Sequence, residues 1–487
     1  MPSCASMPPA PGSRGTGSWW ARLRHHDPAR DGLVRGIVAL SVPSIAQSVL
    51  AFGSYQLGDL YLTGRLGPAA IAAAGATNQT LRQVVFLVLM GLGTAAQMLV
   101  ARLVGAGRNA DAEHIAGQVL LVGAGLWLVT AVVGLGLAEP MVRLVARDPE
   151  VVSLGADFVR IAFPFVATAI FSQLATAVLL GAGDSYTPML ASFVTTPLAL
   201  GCEWLFAFGH FGLPALGMSG IALGGGLGGL AGSLLLARAL LRGEGRVHLR
   251  LAALRPDPKA LRQVLRFSWQ PSLHMVARTG ITFFFMALAG RLGGDVQAAY
   301  TIGQRVEMLA FMVAFPVANA CATLVGQNLG AGSLPRAWRA IWVSAVAEVS
   351  LMWPSAVLLY FGRHVLVRAF TNDPAVAALA AEYLAYSSLL LFFSGLYFVA
   401  FRSLQAAGDM TSPMVISLLL AAGLGIPLAL TLTQRAELGA TGMWIANLAY
   451  GVCNTLAMVA WLLTGRWARH HAPRPPTPLP EERALAP

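Results

Sequence analysis

The chain has 487 residues, of which 56% are hydrophobic and 11% charged, and its formal net charge is +11. An ordinary soluble protein carries about 25% charged residues, so this composition excludes a soluble enzyme. Uncharged runs of 23 to 28 residues cover 115–138, 161–183, 308–332 and 438–465. Each is longer than the roughly 20 apolar residues that span a bilayer as a helix. The sequence therefore predicts a protein embedded in lipid.

Twelve helical segments are predicted, which makes the fold class an all-α polytopic membrane protein. In chain order they cover 34–63, 69–104, 110–138, 151–181, 185–209, 213–241, 260–290, 295–329, 335–362, 375–405, 410–434 and 438–465. The flanking segments, 1–33 and 467–487, are rich in proline and charge, which favours disordered cytoplasmic tails.

Basic residues predict the orientation, because cytoplasmic loops retain Lys and Arg. With the N-terminus inside, the outer loops hold only seven of the 33 basic residues, and four more lie within helices. Many of the others lie in 238–266, which explains much of the positive charge without a nucleic-acid partner. Both termini are therefore expected to be cytoplasmic.

Four sequence blocks occur twice, which indicates an internal duplication. The pairs are 99–107 with 324–332, 148–149 with 373–374 and 182–189 with 407–414 at an offset of 225, and 64–67 with 290–293 at 226. The duplicated six-helix unit predicts an N-lobe (34–241), a cytoplasmic linker (242–259) and a C-lobe (260–466). Because six is even, both lobes enter the membrane in the same direction, and such parallel repeats place a binding cavity between them.

The glycines and aspartates of these blocks have a structural explanation. Gly105, Gly107, Gly330 and Gly332 suit helix C-caps, where a positive φ is needed. Asp184 and Asp409 each follow a glycine and precede a proline, as helix N-caps do.

The same blocks carry a family resemblance. Segment 55–59 (Tyr-Gln-Leu-Gly-Asp), block 325–332, the paired Gly-Asp turns and 212–217 (Gly-Leu-Pro-Ala-Leu-Gly) together resemble the multidrug and toxic compound extrusion (MATE) transporters over about 34–466. The resemblance implies two lobes around a central cavity, from which cationic or amphiphilic drugs leave in exchange for protons or sodium ions. We expect a monomer in a bacterial inner membrane that acts on small-molecule drugs or toxins, with no metal site and no cofactor besides the coupling ion.

Intramembrane acids are the candidate coupling groups, because an ionised carboxyl at the bilayer centre costs about 2.5–3.5 kcal/mol. Asp59 lies on the first helix, with Tyr55 four residues before it and Thr63 four residues after it on the same face. By the resemblance, Asp59 occupies the acidic position of the family's Tyr-x-x-x-Asp pattern. The alternative is that Asp59 caps the turn at Gly64.

Glu203 is the second candidate acid, six residues after Pro197 on the fifth helix. In the DinF-like branch of the family an acid stands nine residues before Gly-Leu-Pro, as Glu203 does here. That branch usually has Asn where this chain has Ala199, and Asp where it has Glu203, so an interhelical hydrogen-bonding role remains the alternative. If Asp59 and Glu203 share one cavity, desolvation and mutual repulsion favour their protonated forms and make them a proton trap.

Further candidates for the cavity are polar residues, which serve equally well as interhelical hydrogen-bonding groups. They are Gln47, Tyr55, Gln56, Asn78, Gln173, Thr176 and Arg278. Pro43 and Pro197 are candidate hinges, because proline removes a helical hydrogen bond.

The C-lobe residues bear on which ion is coupled and which class of substrate is transported. The NorM-type branch holds sodium with acids on helices 7 and 10, where this chain has Thr279 and Ser394. We therefore expect proton coupling through Asp59 and Glu203, with sodium at the same carboxylates as the alternative.

A lipid or lipid-linked oligosaccharide flippase would need a basic cavity, to which Arg278 could contribute. A membrane enzyme is the third hypothesis, but the sequence contains no HExxH, Walker or Gly-x-Ser-x-Gly motif.

Overall fold

The computed structural model describes residues 32–67, 70, 73–74, 83–143, 148–243, 247–435 and 438–471. Within these ranges twelve helices are long and apolar enough to cross a membrane, so the predicted all-α fold is confirmed. We number them α1 (Leu33–Arg65), α2 (Val85–Gly105), α3 (Asn109–Arg143), α4 (Pro149–Ala182), α5 (Tyr186–Phe208), α6 (Met218–Arg242), α7 (Pro258–Leu292), α8 (Gly294–Gly330), α9 (Leu334–Arg368), α10 (Pro374–Ala406), α11 (Thr411–Gln434) and α12 (Gly439–Leu463). Most of both expected tails lies outside the described residues.

The beginning of the expected C-terminal tail is folded. Residues Arg466–His471 form a 3-10 helix. Trp467 is buried, with its ring centre 5.1 Å from that of Trp338, and its indole N–H donates to the Leu462 carbonyl over 2.8 Å. Residues 467–471 are therefore ordered, although the composition predicted a disordered tail from residue 467 onward.

Three helices begin with the same Asp-Pro pair. Asp148 accepts a hydrogen bond from the Glu150 amide at 2.9 Å, and Asp373 accepts one from the Ala375 amide at 2.8 Å. Asp257 caps α7 in the same way, so this helix begins at Pro258, two residues before the predicted start. The side chain satisfies an amide that has no partner within the helix, and the following proline has no N–H to satisfy.

The Gly-Asp aspartates hydrogen-bond to the first turns of their helices, as predicted, although each lies one residue before the N-cap position, which is Ser185 or Met410. Asp184 accepts hydrogen bonds from the Tyr186 and Thr187 amides, both at 3.0 Å. Asp409 accepts one from the Ser412 amide at 3.0 Å and one from the Trp461 indole at 2.9 Å. Both carboxylates therefore stabilise turns.

Only half of the predicted glycine C-caps have the expected conformation. Gly107 and Gly332 have φ of +72° and +74°. The prediction is wrong for Gly105 and Gly330, which are the last helical residues of α2 and α8, because the left-handed cap position comes two residues later.

Gly105 and Gly330 instead let the two lobes touch. A Cβ added to Gly105 would lie 2.0 Å from the carbonyl oxygen of Gln327, and one added to Gly330 would lie 2.0 Å from that of Arg102. Gln327 follows Arg102 by the same 225 residues that separate the two glycines. The duplication therefore appears in space as a contact with pseudo-two-fold symmetry.

Hydrogen bonds follow the same symmetry across the lobes. The Arg102 guanidinium donates from Nε to the Ala406 carbonyl at 3.0 Å, and the Gln327 amide donates to the Gly181 carbonyl at 2.9 Å. Gly181 and Ala406 are also 225 residues apart. We call this contact the inner seal, formed by Arg102, Gly105, Gly181, Gln327, Gly330 and Ala406. It closes the lobes at the end that the charge pattern predicts to be cytoplasmic.

The linker between the lobes is attached to α3. The Gln118 side chain, fully buried, donates to the carbonyls of Ala253 at 3.0 Å and Arg255 at 2.8 Å, and accepts from the Asp257 amide at 3.0 Å. One side chain thereby satisfies three backbone groups of the segment that leads into α7.

Candidate functional site

Tyr55 and Glu203 meet inside the N-lobe. The Tyr55 hydroxyl on α1 donates to Glu203 Oε1 on α5 over 2.8 Å. Glu203 is fully buried and Tyr55 is half-buried. A Cβ on Gly225 of α6 would lie 2.9 Å from Glu203 Oε1 and 3.0 Å from the Tyr55 hydroxyl oxygen. Three helices therefore enclose this hydrogen bond, and the missing side chain of Gly225 leaves space beside it.

Asp59 follows Tyr55 by one helical turn and is half-buried. At a rise of about 1.5 Å per residue, it lies roughly 6 Å farther along α1. Both acids come shortly before the ends of their helices, at Arg65 and Phe208. The beginnings of α1 and α5 meet at the other end, where the Ser185 hydroxyl donates to the Ala39 carbonyl over 3.1 Å. Both acids therefore lie in the half of the N-lobe that is remote from the inner seal.

The backbone of α1 is irregular just before Tyr55. Residues Val49–Ser54 form a π-helical turn, while the segment that contains the buried Pro43 remains α-helical. The irregularity thus lies after the predicted hinge. A Cβ on Gly53 would lie 3.3 Å from the Met312 methyl of α8, so this turn faces the C-lobe. In α5 the exposed Pro197 lies within a continuous helix. Single π-helical turns occur frequently at functional sites.

The other predicted N-lobe residues are dispersed. Gln47 on α1 and Gln173 and Thr176 on α4 are half-buried. Gln56 is exposed, and as the residue after Tyr55 it points about 100° away from it. Asn78 lies outside the described residues.

The C-lobe contains a buried acid that is not among the predicted site residues. Glu307 on α8 accepts a hydrogen bond from the Ser387 hydroxyl on α10. Arg278 on α7 is half-buried, interacts electrostatically with Glu307, and has its guanidinium carbon 5.6 Å from the ring centre of Phe398. Arg278 therefore has an acid and an aromatic face near it within its own lobe.

Glu307 is not among the predicted site residues because the prediction for the C-lobe considered the acid positions of helices 7 and 10. Thr279 is half-buried, and the Ser394 hydroxyl donates to the Leu390 carbonyl of its own helix over 3.0 Å. The available signal was an acid inside a long apolar helix, the same signal that selected Asp59.

His274 belongs to a second polar group of the C-lobe. It is 1% exposed, and its Nε2 lies 3.2 Å from the Ser417 hydroxyl oxygen. The Ser417 hydroxyl donates to Asn454 Oδ1 over 3.2 Å, and the His274 ring centre is 4.7 Å from that of Phe401. His274 is therefore an interior residue, and its Nδ1 atom has no hydrogen-bond partner among the described residues.

In the described ranges no group of three or more His, Cys, Asp or Glu side chains could hold a metal ion. Cys202, Cys321 and Cys453 are free thiols. A fully metal-free protein remains a prediction.

Comparison with known proteins assigns the architecture. The MatE family model matches residues 43–205 and 272–431, once in each lobe. The chain belongs to the MatE family. It is 24% identical over 441 residues to the Thermotoga maritima protein named probable multidrug resistance protein NorM, which covers 89% of this chain and 93% of that protein. The predicted resemblance is thereby confirmed.

Solved structures have the same fold. A MATE crystal structure in the bent conformation superposes with a TM-score of 0.84 at 19% identity, covering 93% of this chain and 99% of that one. A MOP superfamily transporter from Pyrococcus furiosus, described by the reverse polarity of its binding pocket, gives a TM-score of 0.83 at 19% identity and the same coverage of 93% and 99%. The MatE protein described here is therefore a polytopic membrane transporter rather than an enzyme.

Proposed function

We propose that this transporter exports cationic or amphiphilic small molecules in exchange for protons by alternating access. Asp59 and Glu203 are the coupling acids. The supporting observation is the hydrogen bond between Tyr55 and the buried Glu203 carboxyl. Tyr55 lies one helical turn before Asp59 on α1. Relatives named multidrug resistance proteins support the drug-like substrate class. The protein acts in a bacterial inner membrane, with both termini in the cytoplasm.

The proton acts by changing the charge of the cavity wall. An ionised carboxylate attracts a cationic substrate, whereas a protonated acid does not, so proton uptake releases the substrate. Tyr55 joins α1 to α5, and the π-helical turn before it gives α1 a place to bend. A change in the Glu203 proton therefore changes the contact that holds α1 in position.

The oxygen-bearing side chains of the C-lobe agree better with proton coupling than with sodium coupling. Sodium prefers several oxygen ligands with charge compensation. Glu307 gives the C-lobe one carboxyl beside Ser387, but Arg278 supplies an opposing positive charge. The Ser394 hydroxyl is occupied by its own helix.

Everted membrane vesicles provide the test. Ethidium uptake driven by an imposed proton gradient is expected in the native protein and should be lost in Asp59→Asn, which cannot release a proton. Glu203→Gln should be impaired to a similar or somewhat smaller degree. Asp295→Asn, an exposed acid in the first turn of α8, is the matched control and should transport normally. Uptake that follows an imposed sodium gradient at fixed pH, and persists after collapse of the proton gradient, would refute the coupling assignment.

A lipid or lipid-linked oligosaccharide flippase is the second candidate. It is favoured by the half-buried Arg278 and by the structural likeness to a transporter whose pocket has reverse polarity. Arg278→Gln distinguishes the two, because a flippase for anionic headgroups would lose activity while ethidium export would persist.

A further inference from the structure

Glu348 is a buried carboxyl in the middle of α9 that the preceding proposal does not use. It lies 14 residues after Leu334, the first residue of a 35-residue helix, and it is 0% exposed. Neither of its carboxyl oxygens has a hydrogen-bond partner that meets normal geometry among the described residues. A Cβ on Gly395 of α10 would lie 3.3 Å from the Glu348 Cβ, so α10 packs closely against this side chain.

The groups that face Glu348 come from α8 and α10. From α8 these are the backbone amide of Ala318 and the thiol of Cys321. The Cys321 sulfur lies 3.4 Å from the Ser403 hydroxyl oxygen of α10. Cys321 in turn interacts electrostatically with the guanidinium of Arg402. Arg402 donates its hydrogen bonds to Gln97, Gln405 and Thr94 and forms no ion pair with Glu348.

An ionised Glu348 does not fit these surroundings. A buried charge needs an opposite charge or several hydrogen bonds, and an ionised acid at mid-membrane costs about 2.5–3.5 kcal/mol even on insertion scales. A neutral carboxylic acid avoids most of this cost. Glu348 thus differs from Glu307, which accepts the Ser387 hydrogen bond and lies near Arg278.

We propose that Glu348 is a proton-binding site of the C-lobe, occupied by a proton while the inner seal is closed. This inference rests on the proposed proton-coupled function and adds a second proton position to it. The chemistry is proton binding alone: the carboxylic O–H forms in the closed state and gives its proton to water when the packing around α9 opens.

Glu348 is placed to act on the inner seal through α8. Ala318 follows Pro316 by two residues, and proline leaves a gap in the hydrogen bonds of a helix. Farther along α8, Thr323 donates to the Leu180 carbonyl over 2.8 Å, and Gln327 belongs to the inner seal. A charge on Glu348 would destabilise the packing of α9 against α8 near Pro316. Because α8 forms these contacts between the lobes, that change would weaken them. Loss of the proton therefore favours opening of the seal.

Infrared spectroscopy of the full-length protein in lipid tests the protonation directly. At neutral pH the absorption of protonated carboxyl groups should decrease in Glu348→Gln by the contribution of one side chain, since the amide replaces a neutral acid of the same shape. Glu150→Gln, an exposed acid in the first turn of α4, should leave this absorption unchanged. An unchanged spectrum in folded, monodisperse Glu348→Gln would show that Glu348 is ionised and would overturn the proposal.

Spin labels at Ala110 and Pro335 test the link to the seal, because these exposed positions are 225 residues apart and follow the two crossing helices. In the native protein, alkaline pH should raise the open-to-closed ratio. Glu348→Gln should reduce this pH-dependent rise about tenfold, because the variant lacks the acid that links proton binding to the closed state. A pH response identical to the native one would reject the link. Neither the infrared nor the spin-label measurement needs substrate or a gradient. If both gave the results expected for Glu348 while transport in vesicles failed, the proposed function alone would be rejected.

Discussion

Replacing Gly330 with alanine should open the inner seal. The new Cβ would lie 2.0 Å from the Arg102 carbonyl oxygen, whereas real Cβ atoms almost never come within 3.0 Å of another heavy atom. The ends of α2 and α8 must therefore separate by about 1 Å or more. That separation stretches the hydrogen bonds from Arg102 to Ala406 and from Gln327 to Gly181, which are now 3.0 Å and 2.9 Å long.

The size of the effect follows from these two hydrogen bonds. A neutral hydrogen bond contributes about 1 kcal/mol net and one to a charged group about 1.5–3 kcal/mol, so the closed state should lose about 3 kcal/mol. Since about 1.4 kcal/mol corresponds to a factor of ten, the open-to-closed ratio should rise roughly a hundredfold. Once α2 and α8 separate, the alanine would no longer meet this carbonyl, so we expect the substitution to act on the equilibrium between closed and open states.

The assay is the distance between spin labels at Ala110 and Pro335, measured by electron paramagnetic resonance. Gly330→Ala should broaden the distribution and move it to longer distances. Gly93→Ala, on α2, is the control, because its Cβ would lie 3.6 Å from the Ala177 Cβ, an ordinary contact. A Gly330→Ala distribution that superposes on the native one would refute the argument that this glycine lets the lobes close.

Three further changes test other parts of the structure. Tyr55→Phe removes the hydrogen bond to Glu203, which costs about 1 kcal/mol, and should slow initial ethidium export severalfold at unchanged expression; native rates would show that the bond is dispensable. Gln118→Ala leaves three linker groups without their buried partner and should destabilise the protein by about 2–4 kcal/mol; an unchanged midpoint of thermal unfolding would contradict this. The hydrogen bond from the Lys259 amide lowers the pKa of Asp257, so this group stabilises the fold above its unfolded pKa, and the benefit disappears as the pH falls through its folded pKa. Asp257→Asn should therefore flatten the acid side of the thermal stability profile, and an unaltered profile would exclude this contribution.

The helix order and the duplication were accessible from the sequence because they depend on local or repeated signals. Uncharged runs must be helical in lipid, where every backbone polar group needs an internal partner. The Gly-Asp pairs predicted caps because a cap is formed by neighbours in the chain, and the side chains of Asp184 and Asp409 accept hydrogen bonds from the first turns of their helices. Asp59 and Glu203 stood out because acids inside apolar helices are costly.

The contacts between distant segments were decided by the tertiary structure. Gly105 and Gly330 have the sequence appearance of caps, yet their role depends on how closely α2 and α8 cross. The same holds for the bond from Tyr55 to Glu203, across 148 residues, and for Glu348, whose surroundings come from α8 and α10. The sequence alone determined which residues are costly to bury in lipid, because that cost belongs to each residue. Only packing decided which of them meet, because close contact depends on the shapes of whole helices.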